Sequence, residues 1–498
     1  MQHQLVKYLC DCFCKDQHLY SNIDQKVFRY LIDKRVSSFK EYFNADFKEK
    51  NPVKRLSFWR DLLKTTLLSS LKESLGEGKE ALKEAWYALS AHNSLKEFQL
   101  EQAYTLLIAH LLHIPYSSKC EPVQFENGFT PIETGSHWPF MNTPLLEWHA
   151  ELGTLWVLLG KLLNKPSYTL AAQKLANWQT KGLDSHFKPH KGFLSSHHLS
   201  HFTNALLREG VLFHAIALSS SDAQMAYLAK QHFCTLLETK KADFEDFSLD
   251  ALLILNWVDR LFKEELTPME PELESIVQDP NLALVGYRSS ALNILLSFLG
   301  VNMGFGSLKN HDLEIPAFGP QLELLGESKL FGLIGQNPLN SSHKEHFQVD
   351  TDQNEFNVKG VVGLPKVEET QDYWKTWQTP SDWMEFNFFF EENALNIHLT
   401  PYRVKSKLFF VFYAIADKCL VGGEEKILPH SLNQYQGETA PITLIGKQST
   451  LTIDSLDQKN QLKIIPLEGH RSFWGANYLI AYHLNNKYST FKWKISTS

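Results

Sequence analysis

From residue 20 to about 275 the apolar residues recur at helical spacing, and β-type alternation is scarce. LSFWRDLLKTTLLSSLKESLG sets Phe58, Leu62, Leu63, Leu67, Leu68 and Leu71 along one side, and Gly76 stands where a helix commonly stops. EGKEALKEAWYALSAHN and SLKEFQLEQAYTLLIAHLLHI predict two further helices, which short links make antiparallel neighbours. The Gly/Pro/Thr-rich passage 115–144 is long for a plain connection, and long loops in compact domains are often functional. Thr143 and Pro144 suit the cap and first residue of TPLLEWHAELGTLWVLLGKLL. SYTLAAQKLANWQTKG, a His-rich loop, HLSHFTNALLREGVLFHAIAL, SDAQMAYLAKQHFCTLLETK and FSLDALLILNWVDRLFKEEL bring the series to about ten helices.

Near residue 283 the pattern changes to short strands and turns. WMEFNFFFEE and ALNIHLTPYR predict a hairpin across Glu391 to Asn393, and GFGS reads as a hairpin turn rather than a phosphate loop. KLFFVFYAIA, APITLIGK, STLTIDSL, QLKIIPLEG and YSTFKWKIS continue the strands with no helix between them, which indicates an antiparallel sandwich. The expected fold class is α+β and multidomain: a toroid-like (α/α) helical domain over 1–282, then an antiparallel β-sandwich over 283–498.

Composition narrows the function classes. Apolar content of 43% and charged content of 21% are those of a globular chain, and a net charge of −7 argues against a polyanion-wrapping surface, so nucleic acid is not an expected partner. Six cysteines among 498 residues make no disulfide framework. The run Cys10, Cys12, Cys14 with His18 nearby lacks the paired spacing of a zinc site, and reduced structural thiols are the better reading. The N-terminus shows no secretory signal, and the richest apolar stretch, Ala291 to Met303, is too short to span a bilayer. A soluble cytoplasmic protein without cofactor or metal is expected, with export by a signal-free route left open.

Helix pairs in series followed by a strand-rich domain resemble the toroid-plus-sandwich arrangement of the heparinase II/III-like polysaccharide lyases and of some toroidal glycoside hydrolases. The most toroid-like piece is LEWHAELGTLWVLLGKLLNKPSYTLAAQKLANWQTKGLD, with a Glu-bearing helix, a Tyr-anchored second helix and a Trp near its end. The resemblance implies an oligosaccharide or polysaccharide partner, taken in a cleft between helical and β domains.

Several clusters fit that chemistry. His197, His201, Asn204 and Arg208 fall at helical steps and make one polar stripe, whose bland alternative is a solvated helix face. A uronate lyase needs a donor to neutralise the sugar carboxylate and a base to take the adjacent C–H proton, for which Asn204 or Arg208 and His201 are the candidates. His186, His190, His197, His198 and His201 with Asp184 crowd one span, but their spacing fits no familiar metal pattern. Glu147 and Glu151, one turn apart, offer a carboxylate pair of the glycosidase kind, although Glu147 also suits the positive end of a helix. His149 beside Leu145, Leu152 and Trp156 reads as a core histidine. His137 and Trp138 stand in the long loop as sugar contacts. Tyr287 and Arg288 before the apolar stretch are candidates for a second proton-transfer group and a carboxylate anchor, with His311, Asp312 and Glu314 following. Trp377, with Tyr373, Trp374 and Trp383, offers a face for sugar stacking. The expected function is therefore a carbohydrate-active lyase or hydrolase. The alternative, favoured by the lack of a complete catalytic motif, is a non-catalytic glycan- or protein-binding or structural protein.

Overall fold

The computed structural model describes residues 52–71, 76–91, 98–116, 121–130, 146–193, 199–239, 249–280, 284–297, 304–322, 348–352, 355–364, 367–369, 375–377, 382–391, 393–402, 407–429, 431, 433–456, 461–468, 472–484 and 490–497. These form two compact units. A helical one ends at Pro271 and takes in Leu146–Trp178 and Thr203–Pro271. A strand-rich one takes in Gln179–Phe202 and Glu272–Ser498.

The described helices are α1 (Pro52–Leu71), α2 (Gly76–Ala91), α3 (Gln99–Leu111), α4 (Leu146–Leu162), α5 (Pro166–Gln179), α6 (Leu199–Ser220), α7 (Ala223–Thr239) and α8 (Leu249–Leu261). Gly76, expected just past a helix end, instead opens α2. Among the described residues of α1 the buried apolar side chains are Leu56, Trp59, Leu62, Leu63 and Leu67, spaced to fall on one side of the helix; each fully buried leucine contributes about 1.5–3 kcal/mol. Phe58, expected on that stripe, is only half-buried, because Trp59 takes the inward position.

Helices α4 and α6 are different: α4 is buried on every side from Trp148 to Gly160, and α6 from Ala205 to Leu218. A helix apolar all round belongs in an interior. The two approach closely at Gly153, where a Cβ would come within 2.8 Å of the Leu212 side chain. Helix α3 packs on α4 and on α1, and α8 packs on α1, so the last described helix meets the first.

The strand-rich unit holds two nine-stranded antiparallel sheets and one two-stranded sheet. The first sheet runs, in spatial order, Ile276–Asp279 (β1), Leu284–Arg288 (β2), Asn293–Ser297 (β3), Gly306–Asn310 (β4), Leu313–Leu322 (β5), Leu408–Ile415 (β12), Tyr478–His483 (β19), Gln461–Pro466 (β18) and Tyr435–Glu438 (β15). The second runs Glu425–Ile427 (β14), Lys418–Val421 (β13), Ile442–Ile445 (β16), Thr450–Ser455 (β17), Phe491–Thr497 (β20), Ala394–Tyr402 (β11), Asp382–Glu391 (β10), Glu355–Leu364 (β7) and Gln348–Asp352 (β6). Val367–Glu369 (β8) and Lys375–Trp377 (β9) form the small sheet.

The expected hairpin is β10–β11, with Glu391 opposite Ala394 and Asn393 at φ +60. Alternation sends Phe386, Phe388 and Phe390 inward, where rings of both large sheets share one core; Phe305 lies 5.4 Å from Phe388. Gly304, at φ +66, and Phe305 stand at the end of the connection between β3 and β4, of which 298–303 lie outside the described residues. Gly306 opens β4 beside a register shift, and the turn between β4 and β5 is made by His311, at φ +51, and Asp312. The chain is thus a helical N-terminal region followed by antiparallel strand-rich sheets, an α+β fold as its residue pattern predicts.

Candidate functional site

Five helices of the helical unit each bring one ionisable side chain to the same place. Glu151 on α4 has a fully buried side chain. Arg60 on α1 meets it in a two-pronged contact, Nε to Oε1 at 2.8 Å and Nη2 to Oε2 at 2.5 Å. Arg208 on α6 reaches Glu151 Oε1 at 3.2 Å through Nη1, and Asp250 on α8 at 2.6 Å through Nη2. The Tyr104 phenol on α3 donates to Glu151. Burial and then the Glu151 charge raise the Tyr104 pKa well above its usual value, so this phenol keeps its proton and acts as a donor. Two guanidinium groups face two carboxylates, and the cluster is formally neutral. It is not sealed: the Arg60 and Asp250 side chains keep 20% and 12% of their exposure.

The polar stripe of α6 leads into this cluster. Arg208 is 3% exposed, so at this residue the stripe is not a solvated helix face. The anion expected for Arg208 is supplied by the protein's own Glu151 and Asp250. Asn204, half-buried, lies one turn further toward the N-terminus of α6, and His201 sits in the first turn of that helix. Glu147 stands one turn before Glu151 on α4. The side chains of His201, Glu147 and Trp377 lie outside the described residues, as do His137, Trp138, His197, His198, Tyr373, Trp374, Thr143, Pro144 and the three N-terminal cysteines.

His149 sits in the core, as its neighbours imply. Its Nε2 accepts the Thr130 amide at 3.3 Å, its ring lies 5.2 Å from that of Trp178, and burial pushes its pKa down to about 3. Sequence reasoning missed Arg60, Tyr104 and Asp250. Each interrupts an apolar run with a polar group, a weak signal that names no partner.

The remaining candidates lie in the strand-rich unit. Tyr287 on β2 is a core residue whose ring lies 4.2 Å from that of Phe390, tilted by 37°. Arg288 donates to three backbone carbonyls, Leu183 at 2.7 Å, Glu274 at 2.9 Å and Thr180 at 2.6 Å, so its guanidinium staples the segment after α5 to β2. Burial lowers its pKa to about 10.

The first part of the His-rich loop is tied down in the same way. Lys309 Nζ meets Asp184 at 2.5 Å, His190 Nδ1 meets the Ser307 hydroxyl at 2.7 Å, and Lys191 bonds Glu314. Burial would raise the Asp184 pKa, but the Lys309 charge and hydrogen bonds outweigh it and hold the carboxyl near 2. Burial and then Lys309 push His190 down to about 3. His311 stacks beside His186 at 5.8 Å, and Asp312 accepts the Ser449 hydroxyl at 2.6 Å. Among the described residues no three His, Cys, Asp or Glu side chains gather as a metal would require. No described helix is long and apolar enough to cross a membrane.

No protein-family profile and no curated protein matches the sequence. Among solved structures the chain is similar to a β-arabinofuranosidase of glycoside hydrolase family 127, with a TM-score of 0.26 and 8% identity over 100% of this chain and 91% of that one. It is similar also to chondroitinase AC lyase, with a TM-score of 0.46 and 8% identity over 94% of this chain and 71% of that one. Both likenesses are of architecture, at the level expected from the order of helices and strands, and neither assigns chemistry to this chain.

Proposed function

We propose that this chain is a carbohydrate-active protein whose helical unit binds an acidic oligosaccharide and cleaves it, as a lyase or a hydrolase. One observation carries the proposal: Arg60, Tyr104, Glu151, Arg208 and Asp250 come from five helices to one partly open polar point. Burying such groups costs desolvation that an apolar packing would avoid, and perturbed ionisable clusters concentrate at functional sites. The packing of α8 on α1 supports a closed, toroid-like ring of helices around that point.

In this reading the Glu151–Arg208–Asp250 pairing fixes the facing sides of α4, α6 and α8, and the working groups stand a turn or two away. Asn204 donates to the sugar carboxylate, which acidifies the adjacent C–H. His201 takes that proton, and the leaving oxygen departs with a proton returned to it, completing an elimination. Glu147 takes the acid role if cleavage is hydrolytic. Arg60 adds positive charge at the open side, and His137 and Trp138 contact the sugar. Arg288 and Tyr287 have structural parts.

The test is turnover of uronate-containing oligosaccharides. Ultraviolet absorbance of an unsaturated product reads lysis, and new reducing ends without it read hydrolysis. Asn204→Ala and His201→Ala should each lower kcat/KM by about 10²-fold or more while leaving the unfolding midpoint within the surface-mutation range. Absence of both products on every substrate would sink the catalytic reading. The second reading, a non-catalytic glycan binder, is favoured by the self-neutralised state of the cluster; calorimetric binding without product would establish it.

A further inference from the structure

The corner between α6 and α7 is crossed by the segment that follows α8. Three hydrogen bonds lace them together: the Ser221 hydroxyl to Glu264 at 2.7 Å, the Met269 amide to the Ala223 carbonyl at 2.9 Å, and the Tyr227 phenol to Glu270 at 3.1 Å. Ser221 holds the corner at φ +55, a costly conformation for a residue other than glycine. Asp222 then caps α7, accepting the amides of Gln224 and Met225 at 2.9 and 3.0 Å.

The helices present small residues here, Ala217 and Ala226, opposite the strap residues Leu266, Thr267 and Pro268, and all five line one space. What remains is an open cleft of about 710 Å3, a size that takes a small ligand. Leu218 and Phe262 give it an apolar floor. In its wall His214 Nε2 meets Asp259 at 2.7 Å.

The charges around the cleft decide what it accepts. Lys230 and Lys263 stand against Asp259, Glu264 and Glu265. A strongly charged ligand of either sign meets repulsion from about half of these groups. A neutral molecule dense in hydroxyls uses all of them, because ammonium groups donate and carboxylates accept. Its apolar C–H surface can lie against the apolar lining that Leu218 and Phe262 provide.

We propose that this cleft is a binding site for a neutral mono- or disaccharide, distinct from the polar cluster around Glu151. Both His214 and Arg208 are on α6, but about 9 Å apart along its axis, and none of the five cluster residues lines the cleft. The proposal does not depend on turnover at the cluster.

Saturation-transfer NMR on the full chain tests it, with glucose, galactose, mannose, arabinose and their disaccharides as probes, and glucuronate and glucosamine as charged controls. At least one neutral sugar should receive saturation, strongest on the ring protons of one pyranose face. Ala226→Trp, which fills the cleft, should abolish the signal. Asp259→Asn, which leaves the shape, should weaken binding about tenfold, and Asn204→Ala should not change it. If Ala226→Trp fails to fold, Asp259→Asn decides alone. Silence from every neutral sugar, preference for either charged control, or a signal undiminished in both cleft variants would overturn the proposal. Loss of turnover with retained saturation would count against the cluster reading only.

Discussion

Glu151 shows how much one side chain can carry. Its carboxylate satisfies two guanidinium groups and a phenol, and Arg208 is itself almost wholly buried. Breaking a buried pair from one side costs about 3–5 kcal/mol, because an uncompensated charge stays behind. Glu151→Ala should therefore lose about that much in urea unfolding; a loss under about 1 kcal/mol would mean that water already screens the cluster. His149 gives a prediction in pH. Its folded pKa, about 3, lies below the ordinary 6.5 of the unfolded chain, so the unfolded state binds the extra proton. Stability is complete above about pH 6.5 and falls as the pH drops toward about 3. At pH 5 the cost is about 2 kcal/mol, and unfolding curves at pH 7 and pH 5 should show His149→Gln losing less than the parent protein by that margin.

At the scale of elements, interior position explains why α4 and α6 hold the cluster. A helix buried on every side has no solvent-facing stripe on which to place charge, so Glu151 and Arg208 can be satisfied only by each other and by neighbouring helices. The approach at Gly153 brings the two backbones close enough for that. The loop 121–130 is held against α5 by a tighter constraint. Gly128 has φ +94, and a Cβ there would collide with the Lys174 carbonyl oxygen. Gly128→Ala should cost about 1–3 kcal/mol by differential unfolding; an unchanged midpoint would show that the loop moves aside freely. Element types were largely legible in the residue pattern, because the periods of 3.6 and 2 are local properties. The β10–β11 hairpin was read correctly from alternating Phe residues and a short polar turn.

For the whole molecule, each unit has its own apolar core, one built on helical stripes and one on rings shared by two sheets. Chains with more than one core commonly depart from two-state unfolding. Scanning calorimetry should resolve two transitions, with Glu151→Ala lowering only one and Phe388→Ala, which opens a cavity at about 3–5 kcal/mol, lowering only the other. A single transition moved by both variants would show that the units melt together.

The sequence by itself determined the order of helices then strands, most of the inward stripe of α1, and the spacing that puts Arg208 on a polar stripe. These follow from spacings of two to four residues, within which neighbours are set by local geometry. Only the tertiary structure decided what that stripe meets. Arg60 and Glu151 are 91 residues apart, Tyr104 and Glu151 47, and Arg208 and Asp250 42. No periodicity links positions so distant, and their meeting depends on how interior helices pack. The same holds for the cleft at the α6–α7 corner, which is lined by α6, α7, α8 and the strap that follows α8.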